Sequence, residues 1–150
     1  MISPGPGHPE NFKDFGVCQK VLYHSSLPLL GVCLGHQGLA HYHGGIIEKA
    51  PVPMHGRLSW VEHQGKGLFQ DIPSPFQVVR YHSLCVNPKL PERLEADAWA
   101  SDQVLMGIHH KEKPFWGVQF HPESIASQFG LKLIENFKKL TIQFYLENKK

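Results

Sequence analysis

Gly31-Val32-Cys33-Leu34-Gly35 is the stretch that most restricts how this chain can fold. It joins a short apolar run, residues 28–32, to an amphipathic segment, residues 34–43, that ends on Gly44-Gly45. The run suits a buried parallel strand, and the segment suits a helix closed by glycine at its C-terminal cap. A strand that becomes a helix across G-x-C-x-G is the thiol counterpart of the G-x-S-x-G elbow. Side chains at 31 and 35 would collide with neighbouring backbone in so sharp a turn, and the central residue carries backbone strain. Such a turn lifts the Cys33 sulfur from the carboxyl end of the strand, where open α/β sheets place their sites. It also sets the sulfur at a helix N-terminus, which favours the thiolate.

The rest of the chain fits an α/β domain of 150 residues, enough for one continuous core. Residues 9–24 predict a helix with Phe15, Cys18, Val21 and Leu22 on one face. Strand patterns follow at 46–50, 55–63, 77–83, 94–100, 104–110 and 115–120, separated by turn signals such as Gln64-Gly65-Lys66-Gly67 and Lys111-Glu112-Lys113-Pro114. A last helix from about Ser127 carries Leu133, Ile134, Phe137, Leu140 and Phe144 on one side. The pattern predicts helices around a partly parallel sheet, with antiparallel excursions.

A base for the thiol lies in Gln119-Phe120-His121-Pro122-Glu123-Ser124. The apolar strand delivers His121 at its end, and Pro122 stops further ladder pairing. Residues two apart in extended chain share a side, so Glu123 can reach His121 and fix its tautomer. Thiol, imidazole and orienting carboxylate complete the logic of a nucleophilic triad.

Other features read more plainly. A net charge of +2, with the terminal Lys149-Lys150 read as a solvated tail, gives no nucleic-acid stripe. No apolar run reaches the ~20 residues of a membrane span, and the first residues lack a secretory pattern. Cys18, Cys33 and Cys85 do not form a disulfide framework, which points to a soluble protein of a reducing compartment, cytoplasm or plastid. Cys18 reads as core and Cys85 as packing. Neither His41-x-His43, His109-His110 nor Cys33 with His36 has the spacing of a zinc site, so no metal or other cofactor is expected. His109 and His110 fall on opposite strand faces. Trp60, Trp99 and Trp116 are expected to fill the core or an interface.

Gly31-Val32-Cys33-Leu34-Gly35-His36-Gln37 together with Gly117-Val118-Gln119-Phe120-His121-Pro122-Glu123-Ser124 closely resembles the class I, triad-type glutamine amidotransferases. Ile2-Ser3-Pro4-Gly5-Pro6-Gly7 and Arg80-Tyr81-His82-Ser83-Leu84 match the same family, in the same order, so the resemblance covers essentially the whole chain. It implies a flavodoxin-like fold, with a mixed, mostly parallel sheet, helices on both faces and a small additional antiparallel sheet. It implies Cys33, His121 and Glu123 as the triad, with Cys33 forming a γ-glutamyl thioester. Gly7 and Leu34 would supply the oxyanion-hole N–H groups, glycine allowing the close backbone approach. L-Glutamine would be held by Gly5, Pro6, Gly7, Gln37, Ser83 and Leu84.

Within the family, the Ser-Pro-Gly-Pro-Gly and Arg-Tyr-His-Ser-Leu stretches resemble the chorismate-using enzymes. His55-Gly56-Arg57-Leu58-Ser59, Val104-Leu105-Met106-Gly107-Ile108 and residues 120–125 are similar to aminodeoxychorismate synthases of plant or protist type, with anthranilate synthase the alternative. The implied partner is a chorismate-binding synthase, fused or separate. The resemblance further implies a strand, a helix and a second strand ahead of Met1. On that expectation residues 1–150 are an incomplete domain, with Leu29, Leu30 and Val32 left on an open sheet edge, or a partner that only binds.

Overall fold

A computed structural model describes residues 1–149; Lys150, read above as part of a solvated tail, lies outside them. The chain runs α1 (Phe12–Phe15), α2 (Cys18–His24), β1 (Leu29–Val32), α3 (Leu34–Tyr42) and β2 (Ile47–His63). It continues through β3 (Phe76–Val86), β4 (Leu94–Ala100), β5 (Leu105–His110), β6 (Phe115–Val118) and α4 (Gly130–Glu147). The strands lie in the order β1-β6-β5-β4-β2-β3.

The α/β architecture with a mixed sheet is as expected, but the balance of directions is not. Among the described residues β1–β6 is the one parallel strand pair, and the other four pairings are antiparallel. The turns at 101–104 and 111–114 are too short for a crossover, which forces β4, β5 and β6 to alternate. The expected second sheet merges with the first. Segments 46–50 and 55–63 form one strand, β2, bent by register shifts between Lys49 and Met54 and between His55 and Arg57. Its far end, Val61 to His63, pairs with β4 and so joins the excursion to the main sheet.

Two apolar layers cover the sheet, one on each face. Leu30, Val32, Met106 and Val118 pack on the side of α4, through Leu133 and the partly buried Phe137 and Leu140. Leu29, Leu105, Ile108 and Phe115 pack against Leu22, Leu34, Leu39 and Ala40 of α2 and α3 on the other. The predicted first helix is broken at Gly16 (φ 53°), whose N–H closes α1 onto the Phe12 carbonyl. The break turns Val21 outward, 39% exposed, while Phe15 and Leu22 remain buried. On α4, Ile134 also turns out, and buried Asn136 takes the inner position, donating to the Leu68 and Gln70 carbonyls at 2.9 and 2.7 Å.

β1 stands at one sheet edge. Ile2 adds a single parallel bridge there, donating to the Leu30 carbonyl and accepting from Val32 N–H, each at 2.9 Å. β3, at the other edge, is covered by the segment after β6: His121 N–H reaches the Val79 carbonyl and Gln128 N–H the Gln77 carbonyl.

Candidate active site

The elbow forms as its glycines require. Cys33 has φ 54° and ψ −101°, a left-handed value that is costly for a side-chain-bearing residue. A Cβ on Gly31 would run into the Gly35 carbonyl, and one on Gly35 into the Ile2 carbonyl. Cys33 N–H continues the β1–β6 ladder onto the Val118 carbonyl at 2.8 Å, and its carbonyl accepts the first bond of α3 from Gln37 N–H at 3.0 Å. Cys33 is thereby clamped between strand and helix.

Burial outweighs the helix N-terminus at the sulfur. Removal from water pushes the Cys33 thiol up to about 11, and the Glu123 carboxylate adds to the rise, against the N–H groups of Leu34 and the Gln119 side chain. The helix start lowers the thiol in the expected direction but is outweighed. The thiol donates to the Tyr81 carbonyl at 3.8 Å.

The histidine and carboxylate meet as predicted. His121 Nδ1 lies 2.6 Å from Glu123 Oε1, so Nδ1 carries the proton and Nε2 its lone pair. Nε2 is buried and has no hydrogen-bond partner. Ser127 fixes the turn, its hydroxyl donating to the His121 carbonyl at 2.6 Å and accepting from Val79 N–H at 3.1 Å. The Tyr81 ring meets the His121 ring edge-on at 5.2 Å, with its carbonyl on the thiol. Tyr81 therefore touches both halves of the pair, and no hydrogen bond yet joins Cys33 to His121.

A cavity of about 180 Å³ opens beside the sulfur, lined by Gly5, Pro6, Gly7, Cys33, Gln37, Met54, His55, Tyr81, His82, Ser83 and Leu84. All six residues expected to hold a ligand are in that wall. Gly7 has φ +98°, and a Cβ there would strike the Asp14 carboxylate, which also holds His8 N–H at 3.0 Å. Leu34 N–H faces the sulfur from the start of α3. Met54 was not singled out, and His55, Tyr81 and His82 entered only within matching stretches, without a role; β3 alternation alone would have put His82 on the same inner face as Arg80.

The wall is held from behind by buried polar groups that hydrophobic patterning does not reveal. Gln37 Nε2 donates to the Leu84 carbonyl at 3.0 Å and to Gln119 Oε1 at 3.1 Å. His82 Nδ1 donates to the same carbonyl at 2.8 Å, because Arg80 Nε occupies His82 Nε2 at 3.0 Å. Burial and the Arg80 guanidinium hold His82 down at about 4. Arg80, 1% exposed, is balanced by Asp102 at 2.9 Å.

The remaining histidines and cysteines have other partners. His109 bonds Asp97 at 2.8 Å, while His110 packs on His43 and Phe115, so the two do occupy opposite faces. His43 Nδ1 is held by the Leu39 carbonyl. No group of three candidate ligands that could hold a metal occurs among the described residues. Cys85 is buried, and Cys18 packs against the core layer of α2 and α3. Trp99 and Trp116 are partly buried, whereas Trp60 is half exposed and fills no core. No helix among the described residues is long and apolar enough to cross a membrane.

The family model "Glutamine amidotransferase class-I" matches residues 1–140. The chain belongs to that family. Among curated relatives of this amidotransferase, the aminodeoxychorismate synthase of Streptomyces griseus is 55% identical over 141 residues, 94% of this chain and 19% of that protein. The anthranilate synthase component 2 of Methanothermobacter thermautotrophicus is 46% identical over 142 residues, 93% of this chain and 72% of that protein. The chain thus spans about a fifth of the length of the aminodeoxychorismate synthases of S. griseus and Streptomyces pristinaespiralis. Among solved structures, a putative GMP synthase protein from Thermoplasma acidophilum superposes with a TM-score of 0.89 at 27% identity, covering 99% of this chain and 74% of that one.

Proposed function

We propose that this amidotransferase hydrolyses L-glutamine through a Cys33 thioester and passes the ammonia to a chorismate-using synthase that makes aminodeoxychorismate. The observation that carries the hydrolytic half is the pairing of an elbow thiol with a histidine whose Nδ1 is locked on Glu123 and whose buried Nε2 is free to accept.

In this reading His121 Nε2 takes the Cys33 proton, and the imidazolium is held by Glu123. The sulfur attacks the carboxamide carbon. The oxyanion collects on the N–H groups of Gly7, in the glycine loop that lines the cavity, and Leu34, at the start of α3. His121 returns the proton to the departing ammonia, then activates the water that cleaves the thioester. The Gln37 and Leu84 groups described above are committed to each other, which leaves Gln37 Oε1 to receive the α-ammonium of glutamine. The N–H groups of Ser83 and Leu84 are the partners for its carboxylate.

The identity with aminodeoxychorismate synthases supports the choice of synthase. Anthranilate synthase is the second reading, favoured by the 46% match that extends over most of a component 2 chain. With the synthase partner present, His121→Ala should abolish glutamine-dependent synthesis and leave synthesis from added ammonium intact. Equal loss of both would show that His121 serves the fold or an interface. The amino-chorismate product or anthranilate, separated by chromatography, distinguishes the two synthases.

A further inference from the structure

We propose that Gln119 is a catalytic residue alongside the triad: its side-chain N–H holds the Cys33 sulfur as a thiolate once His121 has taken the proton. The proposal rests on the reading of Cys33 as nucleophile, and it deepens that reading.

Gln119 is wholly buried at the end of β6. Its side-chain Nε2 lies 3.7 Å from Cys33 Sγ, a hydrogen-bonding distance for sulfur. Nitrogen and oxygen of an amide are hard to tell apart by shape, so the orientation has to come from its neighbours. Here those neighbours decide it. A carbonyl can only accept, so the Gln37 atom 3.0 Å from the Leu84 carbonyl must be its nitrogen. The same nitrogen sits 3.1 Å from Gln119, and the atom it meets there must be an oxygen. What Gln119 turns toward the sulfur is therefore its N–H₂.

The Leu84 carbonyl is itself pinned by His82 Nδ1–H, whose tautomer is set by the Arg80 guanidinium, a group that can only donate. A chain of fixed donors and acceptors thus runs from Arg80 to the nucleophile. Each link has a buried partner, so turning the Gln119 amide over would break its bond to Gln37 and place an acceptor against an anionic sulfur.

The chemistry needs such a donor. Cys33 is buried and the Glu123 carboxylate faces it, both of which oppose a negative sulfur. Proton transfer from Cys33 Sγ to His121 Nε2 leaves a thiolate whose other donor is Leu34 N–H, the group assigned above to the oxyanion. Gln119 stays with the sulfur when Leu34 turns to the substrate oxygen. A bond to a charged group is stronger than one to the neutral thiol, so it favours the reactive form selectively.

The test is alkylation of Cys33 by iodoacetamide without substrate, followed by peptide mass spectrometry from about pH 6 to 10, with Cys18 as internal control. Gln119→Leu should slow Cys33 at low pH by about three- to fourfold for each unit of pKa rise. That is the tenfold loss of thiolate partly offset by higher intrinsic nucleophilicity. The ratio should hold across this range, which lies below the Cys33 value of about 11, and Gln119→Glu, nearly the same shape and so leaving access unchanged, should be slower still. Superimposable profiles would overturn the proposal, as would a Gln119→Glu rate equal to that of the wild type, since a loss seen with leucine alone reports altered access instead. Should the leucine variant lose its cooperative melt, the near-isosteric glutamate variant decides. Should that also unfold, Gln37→Met, which releases the Gln119 amide, decides by the same profile. Because no glutamine is used, failure here is distinct from failure of the glutaminase reading.

Discussion

Replacing Asp102 by alanine should destabilise the fold far more than its position on a surface turn suggests. Asp102 Oδ2 is the carboxylate partner of Arg80, whose side chain is 1% exposed. The guanidinium otherwise has only the Ser59 hydroxyl at 3.2 Å and His82 Nε2 at 3.0 Å, and its second terminal nitrogen has no partner. Removing one member of a fully buried ion pair costs about 3–5 kcal/mol, because the other charge stays buried. Asp102 is 27% exposed, so water can reach part of the space it vacates and relieve the cation. A loss of about 2–3 kcal/mol follows, a large share of a typical stability of roughly 5–15 kcal/mol. Asp102 also accepts Val104 N–H at 3.3 Å, a weak bond that adds little. Urea unfolding of the wild type, Asp102→Ala, Arg80→Met and the double variant gives the coupling directly. The double variant should be more stable than Asp102→Ala alone. Additive effects, or a single-variant loss under about 1 kcal/mol, would refute the buried-charge reasoning.

Three further outcomes are expected. Asn136→Leu strips two carbonyls, Leu68 and Gln70, of their buried donor and should cost about 2–4 kcal/mol in urea unfolding, at roughly 1–3 kcal/mol for each orphaned group less the gain in apolar burial. Gly35→Ala forces a Cβ against the Ile2 carbonyl and should lower stability by about 1–3 kcal/mol while greatly slowing alkylation of Cys33 by a glutamine-like electrophile; unchanged labelling would show that the elbow tolerates the methyl. Burial holds His36 at about 3, His82 and His110 at about 4, and His43 below its ordinary 6.5. Each is neutral in the fold and takes up a proton more readily when unfolded, so stability is full above about 6.5 and falls as pH drops toward 4. His109, raised by its bond to Asp97, works in the opposite direction but is outnumbered. Urea midpoints at about pH 7 and 5 should therefore differ by more than His109 alone could offset, and equal midpoints would contradict this.

What the sequence discloses here is what local geometry dictates. Glycine at 31 and 35 around Cys33 specifies an elbow because no side chain fits, and the contacts made by Gly35 with Ile2 bear that out. His121 and Glu123 are two apart in extended chain, so their meeting needs no tertiary information. The break at Gly16 was hidden because the apolar spacing of Phe15, Cys18 and Leu22 continues across it. The sheet's directions depended on β2 bending through Lys49 to Arg57 to reach both β3 and β4, a long-range outcome. The buried polar groups were the least legible. Gln119, Arg80 and His36 look like surface residues by type, and only the packed neighbours show them wholly or almost wholly enclosed. His36 sits over Gly117, where a Cβ would come within 2.9 Å of its Nδ1, and both its ring nitrogens lack a partner. The upward push on the Cys33 thiol was illegible for the same reason, since desolvation depends on what surrounds the sulfur and not on the helix it begins.

The central claim is that Cys33 carries the glutamyl group during turnover. Acid quenching of the protein with the proposed synthase partner and L-glutamine, followed by peptide mass spectrometry, tests it directly. A γ-glutamyl adduct should appear on the Cys33 peptide, accumulate when thioester hydrolysis is slowed, and vanish in Cys33→Ala together with glutamine-dependent synthesis. An adduct on Cys18 or Cys85, or glutamine turnover that survives Cys33→Ala, would contradict the account.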